Sequence, residues 1–221
     1  MPKNIASLFS GCGGLDLGFS GGFVFRNTVC ERLDTNIVFA NDFDRDAWAC
    51  YNNNELLTND GVHSRLGDIR EIPTNEIPNF DILLAGFPCQ PFSNAGNRKG
   101  VHDDNGRGTL FEECERIIRE KIEVGHRPEA FLFENVRGIL SSKMQDGVTT
   151  VPDEIHKRME NLGYQVSMKL VCSSDYGVPQ RRYRVLIVGI DATLGVGAFD
   201  FDRLKEVIQE YNIPSEHFGQ D

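Results

Sequence analysis

The chain has 221 residues, 40% hydrophobic and 25% charged, which are the proportions of an ordinary water-soluble globular protein with room for one α/β domain, or for one domain and the start of another. No apolar run approaches membrane-spanning length and Met1-Pro2-Lys3-Asn4 leads straight into a strand-like segment, so the expectation is a cytoplasmic protein with neither signal peptide nor anchor. The net charge of −10 has the wrong sign for a chain that grips a long nucleic acid unaided, and six cysteines at 12, 30, 50, 89, 114 and 172, without any Cys-x-x-Cys pair, argue against a structural zinc site or a disulfide framework.

Asn4 to Phe9 is a short apolar run that ends in Ser10-Gly11-Cys12-Gly13-Gly14, after which Leu15, Leu17, Gly18 and Phe19 predict a helix. Strand, glycine turn and helix open many nucleotide-binding folds, because glycine permits a tight turn and lets a ligand approach the backbone. The spacing is not the dinucleotide G-x-G-x-x-G, and such turns also serve packing alone. Asn36 to Ala40 predicts the second strand, closing with Asn41-Asp42-Phe43-Asp44 before a helix over 45–54. An acidic residue at this strand end suits a ribose, since a carboxylate accepts hydrogen bonds from both hydroxyls. Helix capping is the competing use, and we assign Asp42 to a ligand and Asp44 to the cap. Gly67-Asp68-Ile69 ends a short third strand and adds another carboxylate at the same edge.

Ile82-Leu83-Leu84-Ala85 predicts a buried strand that delivers Gly86-Phe87-Pro88-Cys89-Gln90-Pro91-Phe92-Ser93 to its C-terminal end, where open α/β sheets place their chemistry. Prolines on both sides of Cys89-Gln90 stiffen the turn and present the thiol in a fixed direction. Cys89 is a candidate nucleophile, and a small hydrophobe at a strand end is the alternative. A glycine-rich stretch follows to Gly108, then an amphipathic helix with Phe111, Cys114, Ile117, Ile118 and Ile122 on one face. Ala130 to Phe133 is the next buried strand. It runs into Glu134, a carboxylate that is costly after an apolar strand unless it is paired or functional. A helix over 153–162 ends at Gly163. Strands over 164–171 and 183–189, joined by too short a connector for a parallel crossover, form an antiparallel pair. Arg181, Arg182 and Arg184 are the one dense basic cluster, and strand alternation puts Arg182 and Arg184 on a face that Arg181 does not share. A further helix is expected over 203–211, before a polar tail.

Phe9-Ser10-Gly11-Cys12-Gly13-Gly14-Leu15, Gly86-Phe87-Pro88-Cys89-Gln90, Glu134-Asn135-Val136 and Gln180-Arg181-Arg182-Tyr183-Arg184, in this order and approximate spacing, closely resemble the DNA (cytosine-5) methyltransferases, which use S-adenosylmethionine. The resemblance covers residues 4 to 190. It implies a Rossmann-like α/β fold, with a mostly parallel sheet, one antiparallel strand, helices on both faces and the site residues at strand C-terminal edges. The domain would span 1–190, with 191–221 as the start of a recognition region or a partner-binding tail.

Carried over residue by residue, the family pattern implies a cofactor site of Phe9 on the adenine, the Ser10, Gly11, Cys12, Gly13, Gly14 and Leu15 turn near the methionine portion, and Asp42 on the ribose. Phe43 would pack on the adenine, Asp68 and Ile69 would meet its amino edge, and Pro88 and Leu110 would complete the wall. Cys89 would be the nucleophile, Glu134 the acid at cytosine N3, and Arg182 the orienting group, with Arg184 beside it. A free thiol has a pKa of about 8.5, so a nearby guanidinium raises the thiolate fraction. A stacked base is out of reach, so the resemblance also implies base flipping, with Gln90, Ser93 and Arg98 contacting DNA and Asn94 to Gly108 closing over the base. S-adenosylhomocysteine would be the product and no metal is implied.

The family's recognition region and returning C-terminal segment are not found in residues 190–221. A truncated chain, one subunit of a split enzyme with a complementary C-terminal partner, and a degraded remnant are the competing explanations. The expected partner is duplex DNA containing a target cytosine, in a restriction-modification setting. A tRNA cytosine-5 methyltransferase and a subunit that binds cofactor without turnover are the alternatives.

Overall fold

β1 (Lys3–Leu8) begins the first of two compact units, residues 1–87 with 110–133, and its Ile5, Ala6, Ser7 and Leu8 are all buried. The computed structural model describes residues 1–25, 28–58, 61–88, 110–144 and 146–204. The helix expected over 203–211 therefore lies almost wholly outside the described residues.

The first unit continues with α1 (Gly14–Ser20), a small antiparallel ribbon of β2 (Phe23–Phe25) and β3 (Thr28–Cys30), and β4 (Thr35–Asp42). α2 (Arg45–Asn52), α3 (Glu55–Thr58), β5 (Arg65–Leu66), β6 (Ile82–Ala85), α4 (Leu110–Glu123) and β7 (Ala130–Val136) follow. Its strands are parallel and hydrogen-bonded in the order β5-β4-β1-β6-β7. Ile5 lies opposite both Ile37 and Ile82, so β1 has an apolar neighbour on either side. This flanked position explains why the strand reads as an apolar run instead of an alternation. The expected 45–54 helix breaks at Asn53, where three successive asparagines compete for backbone hydrogen bonds, and α3 starts afresh. The β2–β3 ribbon was not anticipated; three-residue strands are too short to show a period.

α4 buries Leu110, Phe111, Cys114, Ile117 and Ile118, the spacing of one helical face. Arg116 Nη1 donates to Thr74 Oγ1 at 2.8 Å, and buried Lys121 donates to the Ile77 carbonyl at 2.6 Å, so α4 holds the loop that leads into β6. Phe87, Phe111 and Phe133 form a cluster with ring centroids 5.8 to 6.1 Å apart. The residue just before Pro88-Cys89 and the first turn of α4 are thus anchored in the same apolar cluster.

In the second unit, residues 88–109 with 134–221, the end of β7 passes into a short 3-10 turn (Arg137–Ser141). α5 (Val151–Asn161) starts two residues earlier than expected, because Thr150 caps it by accepting from Asp153 N and Pro152 occupies the first turn, where no N–H is needed. β8 (Tyr164–Cys172) and β9 (Tyr183–Asp191) pair antiparallel over their whole length, from Tyr164 opposite Asp191 to Cys172 opposite Tyr183. The chain therefore carries a mostly parallel sheet with an antiparallel pair, as the sequence predicts. One placement needs correction: Arg182 precedes β9 and Arg184 is its second residue, so these arginines stand at a strand's N-terminal end. The antiparallel direction brings that end beside the C-terminus of β8.

Gly13 combines a φ of 83° with a position where an added Cβ would sit 2.1 Å from Leu57 Cδ1, whereas a Cβ on Gly14 meets nothing within 4 Å. Gly13→Ala is expected to cost about 2–4 kcal/mol, from left-handed strain plus overpacking. Gly14→Ala should be neutral or stabilising by less than about 1 kcal/mol. Urea unfolding of the two variants measures the contrast.

Candidate functional site

The chain turns sharply where β1 ends. Phe9 has a φ of 53°, the one positive value outside glycine among the described residues, at a cost of about 1–2 kcal/mol. Ser10 N donates to the Asn41 carbonyl at 3.0 Å, Gly11 N to Asp42 Oδ2 at 2.7 Å and Gly13 N to the Ser10 carbonyl at 2.9 Å. Asp42 Oδ1 also accepts from Asp44 N at 2.8 Å, while Asp44 caps α2 through Asp46 N and Ala47 N. Capping thus falls to Asp44. Each Asp42 oxygen holds one backbone N–H and keeps a further lone pair, so the carboxylate can still accept two hydroxyls. Phe43 beside it is 74% exposed, and the Cβ position of Gly11 faces open space. An acid, an uncovered aromatic ring and an open glycine turn fit the ribose, base and tail of a nucleoside cofactor.

Other expected contacts are arranged differently. Asp68 caps the 3-10 turn Ile69–Glu71 and is gripped by Arg70, whose Nε lies 3.0 Å from both carboxylate oxygens. Arg70 holds the Asp68 carboxyl below the usual carboxylate range. Ile69 is buried, and its carbonyl accepts from Ile72 N at 3.2 Å and Arg116 Nη2 at 3.4 Å. Cys12 is exposed and Leu15 half-buried; Pro88 is exposed and Leu110 buried at the start of α4. Cys89, Gln90, Ser93 and Arg98 lie outside the described residues.

Two supporting residues escaped the sequence analysis. Buried Asn41 donates from Nδ2 to the Arg65 and Gly67 carbonyls, both at 2.9 Å, and so ties the end of β4 to the approach of Asp68. Asp16, fully buried in α1, accepts from Ser7 Oγ at 2.6 Å; its Oδ2 has no partner of hydrogen-bonding geometry, although the buried Tyr51 hydroxyl lies next to it. Burial pushes up the pKa of both Asp16 and Tyr51. No local signal marks either residue, since an Asn at a strand end and an Asp in a first helical turn are ordinary surface choices.

In the second unit, β7 alternates so that Phe131, Phe133 and Asn135 are buried while Glu134 is half-buried. Arg184 Nε lies 2.5 Å from Glu134 Oε1, the two side chains being 20% and 26% exposed. Arg184 also donates from Nη1 to the Tyr183 carbonyl at 2.8 Å. Arg182, which the sequence analysis treats as the main orienting group, is exposed, and its carbonyl accepts from Ser173 N and Oγ. The guanidinium of Arg137 sits 5.6 Å from the Tyr183 ring centroid. A carboxylate and a guanidinium from distant segments meet here, leaving a second carboxylate oxygen that can accept from a base edge.

A profile of the C-5 cytosine-specific DNA methylases matches residues 3–218. The chain belongs to this family. Among similar proteins, the Type II methyltransferase M.BanI of Aneurinibacillus aneurinilyticus is 40% identical over 212 residues, covering 93% of this chain and 44% of that protein. The Type II methyltransferase M.FnuDI of Fusobacterium nucleatum is 38% identical over 200 residues, 89% of this chain and 49% of that one. The chain thus spans about half the length of the curated relatives it matches. Among solved structures, an S. pombe Dnmt2 methyltransferase superposes with a TM-score of 0.67 at 20% identity, covering 94% of this chain and 54% of that chain. A putative DNA modification methyltransferase from an E. coli prophage gives 0.63 at 24%, covering 87% and 48%. These two likenesses show the Rossmann-like methyltransferase fold. No helix among the described residues is long and apolar enough to cross a membrane.

Asp16 generates a stability prediction for this methylase chain. Its folded pKa lies above the ordinary 3.8, so folding favours the protonated form, and the penalty for ionising it grows as pH rises from 3.8 to the raised value, then stays constant. Asp16→Asn keeps an acceptor for Ser7 and cannot ionise. Its melting temperature relative to the parent should increase with pH over that window, which scanning fluorimetry across a pH series would show.

Proposed function

We propose that this chain is the catalytic half of a DNA cytosine-5 methyltransferase of a restriction-modification system, acting in the cytoplasm and on nucleoid DNA. The observation that carries this reading is the Glu134–Arg184 pair, in a chain whose residues 3–218 match the cytosine-5 methylase family. Phe9, the 10–15 turn, Asp42 and Phe43 would hold S-adenosylmethionine, with Asp68, Ile69, Pro88 and Leu110 around the adenine. That cofactor, when bound, supplies an electrophilic sulfonium methyl group.

The chain's own residues carry the remaining steps. The Cys89 thiolate adds to C6 of a cytosine turned out of the duplex, forming an S–C bond and shifting the C5=C6 electrons onto C5 and the ring. Glu134, taking up a proton from solvent as the base enters, meets N3 and the amino group, lending that proton to N3 as charge develops and taking it back when the ring is restored. Arg184 fixes the Glu134 carboxyl from its other side, while exposed Arg182 and Arg137 are available to phosphate. After methyl transfer the C5 proton leaves to a base, C5=C6 reforms and Cys89 departs as thiolate. Gln90, Ser93 and Arg98 are proposed DNA contacts. A basic C-terminal region or subunit would supply the affinity that a net charge of −10 does not favour.

The test is intact-mass spectrometry after incubation with duplex DNA carrying 5-fluorocytosine at many sites, with and without S-adenosylmethionine. Fluorine cannot leave C5 as a proton does, so transfer traps the protein on DNA. A cofactor-dependent adduct that vanishes in Cys89→Ser is expected once the C-terminal half is present; its absence there, with cofactor bound, would overturn the reading. With ordinary cytosine, Glu134→Gln should slow methyl transfer by about a hundred- to ten-thousand-fold while leaving cofactor affinity unchanged.

A further inference from the structure

Arg70 has no role in the methyl-transfer reading, yet it supplies three protons to the Asp68 carboxylate. Its Nε donates to both oxygens at 3.0 Å, its Nη2 to Oδ2 at 2.5 Å and its backbone N to Oδ1 at 3.0 Å. An ionised carboxyl offers about four acceptor positions, so three donated protons leave about one open. The Asp68 side chain is 17% exposed, which keeps the carboxylate within reach of a ligand. The turn that carries this pair is itself held by α4. Arg116 donates from Nη2 to the Ile69 and Ile72 carbonyls at 3.4 and 3.3 Å and from Nη1 to Thr74 Oγ1 at 2.8 Å, while Glu113 accepts from its Nε at 2.7 Å. Arg70 therefore orients Asp68, and Arg116 fixes the turn on which both stand.

We propose that Arg70 is a specificity-determining positioning residue: by fixing Asp68 as an acceptor with one open position, it selects a purine with a 6-amino group over one with a 6-carbonyl. The proposal rests on the cofactor reading above, in which Asp68 meets the adenine amino edge. A bidentate guanidinium–carboxylate pair is the arrangement in which a partly exposed ion pair still holds a fixed orientation. Adenine offers an N–H donor at position 6, which the open acceptor position of Asp68 satisfies. Hypoxanthine offers an oxygen there, so two acceptors face each other with no proton between them. Without the guanidinium, the carboxylate regains side-chain rotation and can turn away from a carbonyl. The 6-oxo purine then escapes its penalty, and the 6-amino purine loses a partner oriented in advance. The cap from Arg70 N to Asp68 belongs to the backbone, so replacing the side chain leaves the start of the turn in place.

The experiment titrates the chain by calorimetry with S-adenosylhomocysteine and with S-inosylhomocysteine, in which a carbonyl replaces the 6-amino group. The parent is expected to prefer the adenosyl ligand by about a hundredfold, the scale of a hydrogen bond to a charged group. Arg70→Met should reduce that preference to about tenfold or less. Arg70→Lys, which keeps the charge without the fork, should fall between the two. The Arg70 side chain is 41% exposed, so both variants are expected to fold. In carbon-13 NMR of the ligand-free chain, Arg70→Met should move the Asp68 carboxyl titration up toward the ordinary carboxylate range. An unchanged preference in Arg70→Met sinks the proposal. So does an equal loss of affinity for both ligands, which marks a structural defect alone, or an Asp68 titration that does not move. A parent chain that binds neither ligand overturns the cofactor reading and the proposal with it, an outcome distinct from adenosyl binding with an unaltered ratio.

Discussion

The Asp42 carboxylate is the constraint on which the first unit's candidate site depends. One oxygen accepts from Gly11 N and the other from Asp44 N, so a single side chain joins the turn after β1 to the turn after β4. That bridge, with the Ser10 N–H bond to the Asn41 carbonyl, opposes relaxation of the left-handed backbone at Phe9. The neighbouring groups reinforce the arrangement: Asp44 takes over the cap of α2, and Asn41 links the same strand end to Gly67. The carboxylate is oriented before any ligand arrives, which reduces the ordering cost of binding.

In the second unit the corresponding interaction is the ion pair of Glu134 with Arg184. It is only partly shielded from solvent, so its importance lies in geometry more than in stability. It settles which of three adjacent arginines serves the carboxylate. Strand parity, which the sequence analysis uses to separate Arg181 from Arg182 and Arg184, applies only from Tyr183 onward and cannot rank the latter two. The pairing of β8 with β9 does, by starting β9 at Tyr183: Arg184 falls within the strand opposite Val171, while Arg182 remains in the connector.

The acidic balance of the chain and its coverage of half the length of its relatives bear on the same question. The C-5 cytosine methylase match extends to residue 218, and the similar Type II methyltransferases are about twice as long. A net charge of −10 has the wrong sign for strong phosphate binding by these 221 residues alone.

The sequence by itself determined the family, the order along the chain of the seven strands of the larger sheet, the antiparallel β8–β9 pair and the capping role of Asp44. These are local properties: apolar runs, connector length and capping chemistry all act over a few residues. What only the tertiary structure decided involves residues distant along the chain. Asp16 is sealed beside Ser7 and Tyr51, Asn41 reaches the Arg65 and Gly67 carbonyls, and Arg184 meets Glu134. In each case several side chains of similar chemistry are available, and selection among them follows from which strand end or helix face the fold brings within about 3–4 Å.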